Sequence, residues 1–325
     1  MPSPPSNLRR RLPVARAARF LFVVVGLGMI LGCPPDKTHR KQQLTGKPAL
    51  ELRKAVSFAL ASKSLPASRE DLVAAIVNGM RGHVKLPDRD DIVTADGDHY
   101  PALQRLKVDL TDAGVDTGKK PAKLKSDEKP QPGLRAEQFQ FCAQPLNVDG
   151  GHISMDVRAR QVRLGVQHDK NGGPVLVLDD ARDGQVDCQT TTGDLSTIFR
   201  ASANERGKPF GLSVQKAKLA LESSNDRDLS ADLRLASRLL LVPITLHFKA
   251  HVAVDRDGNA SLSGLSCDGD DVAGTLITQF IRPSLAQYNG RTMPLVAFPS
   301  DRIRLRDVTV HVDGENVRVA ATFGS

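Results

Sequence analysis

The chain has 325 residues, of which 40% are hydrophobic but only 4% aromatic, with no tryptophan and a formal charge of +8. That length suits one large domain or two small ones. Five of the positive charges are arginines before residue 20, and the remainder of the chain carries only +3; with no basic patch interleaved with aromatic side chains, nucleic acid is excluded as a partner class.

Residues 1–32 hold no acidic side chain, and Arg9, Arg10, Arg11, Arg16 and Arg19 precede an apolar run from Phe20 to Leu31. About 12 apolar residues suit the h-region of a secretory signal peptide and fall short of the roughly 20 that span a bilayer. Gly26 and Gly28 weaken the run further as a permanent helix. It ends Ile30-Leu31-Gly32-Cys33, which resembles the lipobox of bacterial lipoproteins. In that family a small residue precedes a cysteine that is diacylated and becomes the mature N-terminus. Gly32 and Cys33 fit; Leu31 is bulkier than the family has at its place. The resemblance implies removal of residues 1–32, palmitate-type acyl chains on Cys33, and a place on the periplasmic side of the cell envelope, tied to a membrane. An ordinary signal peptide with an incidental cysteine and an Arg-rich transit peptide are the alternatives the residues leave open. Acyl chains add about 0.8 kcal/mol of membrane affinity per buried CH2. The polar residues after Pro34-Pro35 suit a tether, taken as 33–48.

A single domain is expected over 49–325. Residues 49–80 read as two short helices, the first carried by Leu50, Leu52, Val56, Ala59 and Leu60. Pro66 ends that pattern, Ser68 with Asp71 resembles a capping box, and Leu72, Ala75, Ile76 and Met80 continue at helical spacing. From Leu103 to Val115 the period changes to that of a strand. Residues 116–133 mix Lys119, Lys120, Lys123, Lys125 and Lys129 with Pro121, Pro130, Pro132 and Gly133, and read as a flexible loop: a solvated insertion in one sheet, or a domain boundary.

Beyond residue 150, alternation with period two dominates. Ile153, Met155, Val157 and Ala159 share one parity, and Val162, Leu164 and Val166 the other. A phase change inside a strand is what a β-bulge produces. The same slip recurs between Leu212-Val214 and Ala217-Leu219-Leu221, and between Ile303-Leu305 and Val308-Val310-Val312. The longest pattern runs from Leu229 to Val254, about 85 Å if it were one strand. A break is therefore required, with Pro243 and Ala236-Ser237-Arg238 as its candidate places. Asp255-Arg256-Asp257-Gly258-Asn259 and Asp313-Gly314 supply hairpin turns. One helix is expected to be capped by Asp194. A longer one follows Asp270-Asp271, with Val272, Leu276, Ile277, Phe280, Ile281, Leu285 and Tyr288 as its apolar stripe, Pro283 inside and Asn289-Gly290 as its stop.

Few residues suggest chemistry. Cys142, Cys188 and Cys267 follow Cys33, and either one pair bridges or all three pack as small buried hydrophobes. His247 and His251 share a strand face with Lys249, which reads as an exposed polar face more simply than as a metal site. Asp255–Asn259 lacks the downstream glutamate of a calcium loop. Asp179, Asp180, Asp183 and Asp187 read as a solvated turn, and Asp268, Asp270 and Asp271 as acid at a helix N-terminus. No GxSxG, P-loop or dinucleotide fingerprint occurs. No catalytic residue, metal or cofactor is expected, and the protein is read as a non-enzyme.

The expected architecture is α+β, a long curved antiparallel sheet against amphipathic helices with an N-terminal helical segment. The order Leu229–Val254, helix Val272–Tyr288, then Ile303–Phe323 resembles the tubular lipid-binding (TULIP-like) superfamily over residues 153–323. That resemblance implies an apolar groove, for which Leu241, Ile244, Leu246, Phe248, Leu276, Phe280 and Ile281 are the candidate lining. The expected function is binding or shuttling a lipid or other apolar ligand; the alternative is a non-catalytic envelope scaffold that binds another protein through its sheet edges.

Overall fold

The computed structural model describes residues 57–116, 124, 129–208, 211–239, 242–296 and 302–325. Cys33, the tether, most of the expected first helix, most of the lysine-rich loop and Leu241 lie outside the described residues.

Period-two patterning organises nearly everything else. The strands are β1 (Ser57–Ala59), β2 (Val84–Lys85), β3 (Val93–Asp96), β4 (Ala102–Asp109), β5 (Gly114–Val115), β6 (Gln131–Val148), β7 (Gly151–His168), β8 (Pro174–Thr191), β9 (Leu212–Asn225), β10 (Asp228–Leu239), β11 (Val242–Val254), β12 (Asn259–Gly269), β13 (Arg291–Pro294), β14 (Arg304–Asp313) and β15 (Asn316–Gly324). Three helices punctuate them: α1 (Arg69–Arg81), α2 (Thr192–Gly207) and α3 (Val272–Ala286).

The strands form two sheets. The larger has ten strands, with the path β14-β15-β8-β7-β6-β4-β3 and β1, β2 and β5 added along its flanks. Strands β6, β7 and β8 have 18 residues each, about 60 Å of chain apiece, and they make up the body of the sheet as a meander. The smaller sheet runs β13-β12-β11-β10-β9. The two meet where the β9–β10 turn reaches β14: Val310 donates its N–H to the Asp226 carbonyl at 2.7 Å, and Val312 to the Ser223 hydroxyl at 3.2 Å. One continuous core of aliphatic residues fills both inner faces, with Leu106, Leu134, Leu164, Leu178, Val252 and Leu262 at or below 1% exposure.

The α+β expectation, a long sheet wrapped around amphipathic helices in TULIP-like fashion, is overturned: the protein is mostly β, and its helices are peripheral. A helix at the centre of a wrapped sheet has to be covered all round. Instead α3 buries Thr278, Ile281 and Leu285 against β11 and β12 and leaves Val272 81% and Leu276 55% exposed. The expected first helix also fails where it is described, at its C-terminal end. Ser57–Ala59 is a strand, paired antiparallel with Val175–Val177 of β8. A three-residue strand leaves no period to read, and its pairing partner lies more than 100 residues away.

Other expectations meet the structure in part. Ser68 caps α1, accepting the Asp71 N–H at 3.1 Å, and Leu72, Ala75, Ile76 and Met80 are its buried face. Each phase slip is an irregularity in register, at Arg158–Arg163 of β7, at Ala236/Ser237 opposite β9, and at Arg306/Thr309 of β14. Gln161 and Asp307 there have φ of 47° and 49°, the left-handed geometry that turns the strand by one residue. The break within Leu229–Val254 falls at neither expected place, since Pro243 and Ala236-Ser237-Arg238 all lie in strands. It is a complete reversal between Leu239 and Val242, which pair, so β10 and β11 form a hairpin. Helix α2 starts earlier than expected, capped by Thr191, whose hydroxyl accepts the Asp194 N–H at 3.0 Å and donates to the Asp194 carboxylate at 2.6 Å. Asp179, Asp180, Asp183 and Asp187 do not form a turn; all four lie within the continuous strand β8.

Candidate functional site

The apolar positions expected to line a groove are mostly core. Ile244, Leu246 and Phe248 alternate inward along β11 and are 2%, 7% and 7% exposed, and Ile281 of α3 is 6% exposed. Leu276 points the other way, into solvent. Phe280 lies within α3. The structure therefore brings four of these residues together as packing and separates Leu276 from them.

The polar faces hold the more organised arrangement. On the outer face of the large sheet, register places Asp109 beside Cys142, Cys142 beside Asp156, Asp156 beside Asp187, and Asp187 beside Ala320. This is one row of side chains crossing β4, β6, β7, β8 and β15, with three carboxylates in it. Like charges directly opposite one another destabilise a sheet, and here each carboxylate is matched by a base. Arg158 reaches Asp156 at 2.6 Å, and Gln140 donates to it at 3.3 Å. Arg318 makes a two-pronged pair with Asp187, which also accepts from Gln189 at 3.2 Å. Asp109 is the most enclosed, 8% exposed, and binds Arg89 at 2.7 Å, Lys107 at 3.0 Å and the Thr111 N–H at 3.0 Å. Burial alone would push its carboxyl up, but those donors and cations together outweigh burial and hold it well below the usual carboxylate range. The middle of the row floors a shallow open depression lined by Asp156, Arg158, Gln185, Asp187, Asp307 and Thr322.

Every cysteine among the described residues is free, so no bridged pair is formed among them. Burial and the nearby Asp109 charge push Cys142 up to about 11, and burial pushes Cys188 and Cys267 up to about 12. At neutral pH all three are protonated thiols that pack as small hydrophobes.

His247 and His251 do share the outer face of β11, as their spacing implies. Each is taken up by a carboxylate of β10 rather than turned toward the other: His247 by Asp232, and His251 by Asp228 at 3.6 Å. No group of three His, Cys, Asp or Glu placed to hold a metal occurs among the described residues. The Asp255 carboxylate accepts the N–H groups of Asp257 at 2.9 Å and Asn259 at 2.8 Å, so it is occupied by its own turn. Asp271 caps α3, accepting the Gly274 N–H at 2.6 Å, and also the Thr245 N–H at 2.7 Å.

Sheet edges were the expected means of binding a partner, and two of them are closed. Val214 of β9 donates to the Asn204 side chain at 2.6 Å and accepts from it at 2.9 Å, so one amide imitates a neighbouring strand. Leu219 donates to Ser196 at 3.0 Å. Helix α2 thus covers the β9 edge with side chains, while the β9–β10 turn covers part of β14. The cross-strand row could not be read from the sequence, because its members lie up to 211 residues apart and meet only through strand register.

The fold and surface define a two-sheet, mostly β protein with a filled core and a charge-paired outer face. No family model, curated protein or solved structure matches the chain.

Proposed function

We propose that this chain is a non-catalytic protein of the cell envelope, anchored to a membrane through acylated Cys33 and facing the periplasm. It binds another protein through the outer face of its large sheet. The observation that carries this reading is the use of the apolar residues: Ile244, Leu246, Phe248 and Ile281 are spent on the core shared by the two sheets. To line a groove for a lipid they would have to leave it, at about 2 kcal/mol for each large side chain. What remains for recognition is the outer face. Its paired charges are held in place before any partner arrives, which favours specificity and steering over raw affinity. The covered edges of β9 and β14 turn recognition toward that face and away from strand addition.

The test is a photo-crosslinker at the exposed position Gln185, opposite Arg158 in the same depression as Asp156 and Asp187, used in intact cells. A discrete protein adduct that disappears on reversing the charge of Arg158 supports the reading. Native mass spectrometry of the anchored protein is the opposing measurement. A stoichiometric lipid adduct, beyond the acyl chains on Cys33, would place the apolar ligand back in the lead.

A further inference from the structure

Among the described residues, three large hydrophobic side chains are exposed: Val242 at 52%, Val272 at 81% and Leu276 at 55%. Local structure gathers them at one corner. The Asp271 carboxylate accepts the Thr245 N–H, and Asp270 donates its N–H to the Thr245 carbonyl at 3.1 Å. This pins the start of α3 to the first turn-ward residues of β11. Val242 lies three residues before Thr245 on the same strand, and with Ile244 it shares the parity that faces α3. Val272 follows Asp271 directly. Leu276 is four residues further on, hence on the same helix face one turn along. Pro283 continues that exposed side.

The charges around the corner are arranged to leave it free of uncompensated acid. Asp270 is paired with Arg234 at 3.2 Å and Asp268 with Arg282 at 2.9 Å. Asp271 is turned onto two backbone N–H groups. Arg238, exposed and directly opposite Pro243 in the ladder, has no ion pair among the described residues. An apolar tip with a free cation behind it complements the surface of a bilayer that contains anionic phospholipid.

We propose that this corner, Val242 with Val272 and Leu276, rests in the membrane surface and sets the orientation of the protein on it. The proposal draws on the anchored reading for the presence of a bilayer. The chain from Cys33 to Ser57 spans at most about 80 Å, enough for the corner to reach the membrane that holds Cys33. Seated in this way, the protein keeps the charge-paired face of the large sheet free for a partner.

The chain has no tryptophan, so a Leu276→Trp variant carries a single fluorophore at the corner. Lys249→Trp, on the exposed polar face of β11, is its control. The full protein is purified from membranes and placed on vesicles of dibrominated phosphatidylcholine mixed with phosphatidylglycerol. Fluorescence of the Leu276→Trp protein is expected to fall by more than about half, the bromines lying within reach of a surface-inserted side chain, while the Lys249→Trp protein keeps its signal. Adding Val242→Asp to the Leu276→Trp protein should at least halve that quenching, because the acyl chains still hold the protein on the vesicle while the corner lifts away; Val242 is exposed, and an unchanged unfolding midpoint shows that the fold is retained. Equal quenching at both positions, or none at Leu276→Trp, overturns the proposal. So does a blue-shifted emission that grows with protein concentration without vesicles, which would assign the corner to a second copy. The mass of the N-terminal peptide separates the two readings. Quenching without acylation of Cys33 leaves the corner standing and removes the anchor. Acylation without quenching does the reverse.

Discussion

Asp156 of β7 stands directly opposite Asp187 of β8 on the outer face of the large sheet. Two carboxylates in that position repel unless something lies beside them, and Arg158 and Arg318 do. Replacing Arg318 with leucine leaves Asp187 facing Asp156 with one cation fewer. The variant is expected to melt below the parent, and adding Asp187→Asn to it should restore most of the loss. Because the repulsion is exposed to solvent, salt near 1 M shortens the Debye length to about 3 Å and should narrow the gap. Thermal unfolding at low and high salt checks both points; a deficit insensitive to salt would mean that Arg318 acts by packing.

The same row ends in Asp109, which is buried, and there the consequence is a dependence on pH. Its carboxyl lies lower in the folded protein than in the unfolded chain. Its contribution is therefore fully present above the ordinary carboxylate value near 4, and is lost as pH falls toward the folded value. Asp109→Asn removes the partner of Arg89 and Lys107 and is expected to cost about 2 kcal/mol at pH 7. Below pH 4 the parent should lose that advantage progressively, so that the two urea-unfolding curves converge. A constant difference from pH 7 down to pH 2 would contradict the assignment.

How much of this could be read from the chain depends on the distance over which each feature is determined. The bulges were legible, because Ala159 to Val162 and Leu305 to Val308 each change parity within three residues. The Asp313-Gly314 hairpin was legible from turn chemistry, with Gly314 at φ 58°. The β10–β11 reversal was not: Leu240-Leu241 lies between the paired Leu239 and Val242, and neither is a residue type that marks a turn. The acids of β8 misled for a related reason. Asp180 and Asp187 are tolerated inside a strand because Arg163 and Arg318, brought in by other strands, donate to them. The groove expectation failed at the same level. Alternation identifies the inward residues of β11, but not whether a ligand, a helix or another sheet meets them.

Asn204 offers a test of edge protection. Its side-chain amide occupies both the donor and the acceptor of Val214 on the outer edge of β9. Asn204→Ala strips that cover and leaves a partly buried N–H and carbonyl unpaired, expected to cost about 1–3 kcal/mol. It also opens an edge to pairing with another chain. Urea unfolding should register the first effect, and sedimentation velocity the second, as a concentration-dependent dimer absent from the parent. Adding Ser196→Ala, which removes the acceptor for Leu219, should enlarge both. Destabilisation without association would mean that α2 itself, and not the two side chains, shields the strand.

Where β12 runs into α3, the seating of the corner helix depends on the absence of two side chains. A Cβ on Gly269 would lie 2.1 Å from the carbonyl carbon of Gly274 and 2.3 Å from the Thr275 nitrogen, and one on Gly274 would lie 2.8 Å from the Thr245 carbonyl. These neighbours are backbone, held by the Asp271 cap, and cannot rotate away. Gly269→Ala must therefore lift the start of α3 from the sheet, opening the packing beneath Ile281 and Leu285. A loss of more than about 3 kcal/mol is expected, in the range of a disrupted core. Gly290 supplies the comparison: its φ is +76° but nothing lies within 4 Å of an added Cβ, so Gly290→Ala bears only backbone strain, about 1 kcal/mol. Urea unfolding of the two variants separates steric contact from conformation. If they lose similar stability, the close approach of helix to strand is softer than the geometry implies, and the orientation of Val272 and Leu276 would be free to change with it.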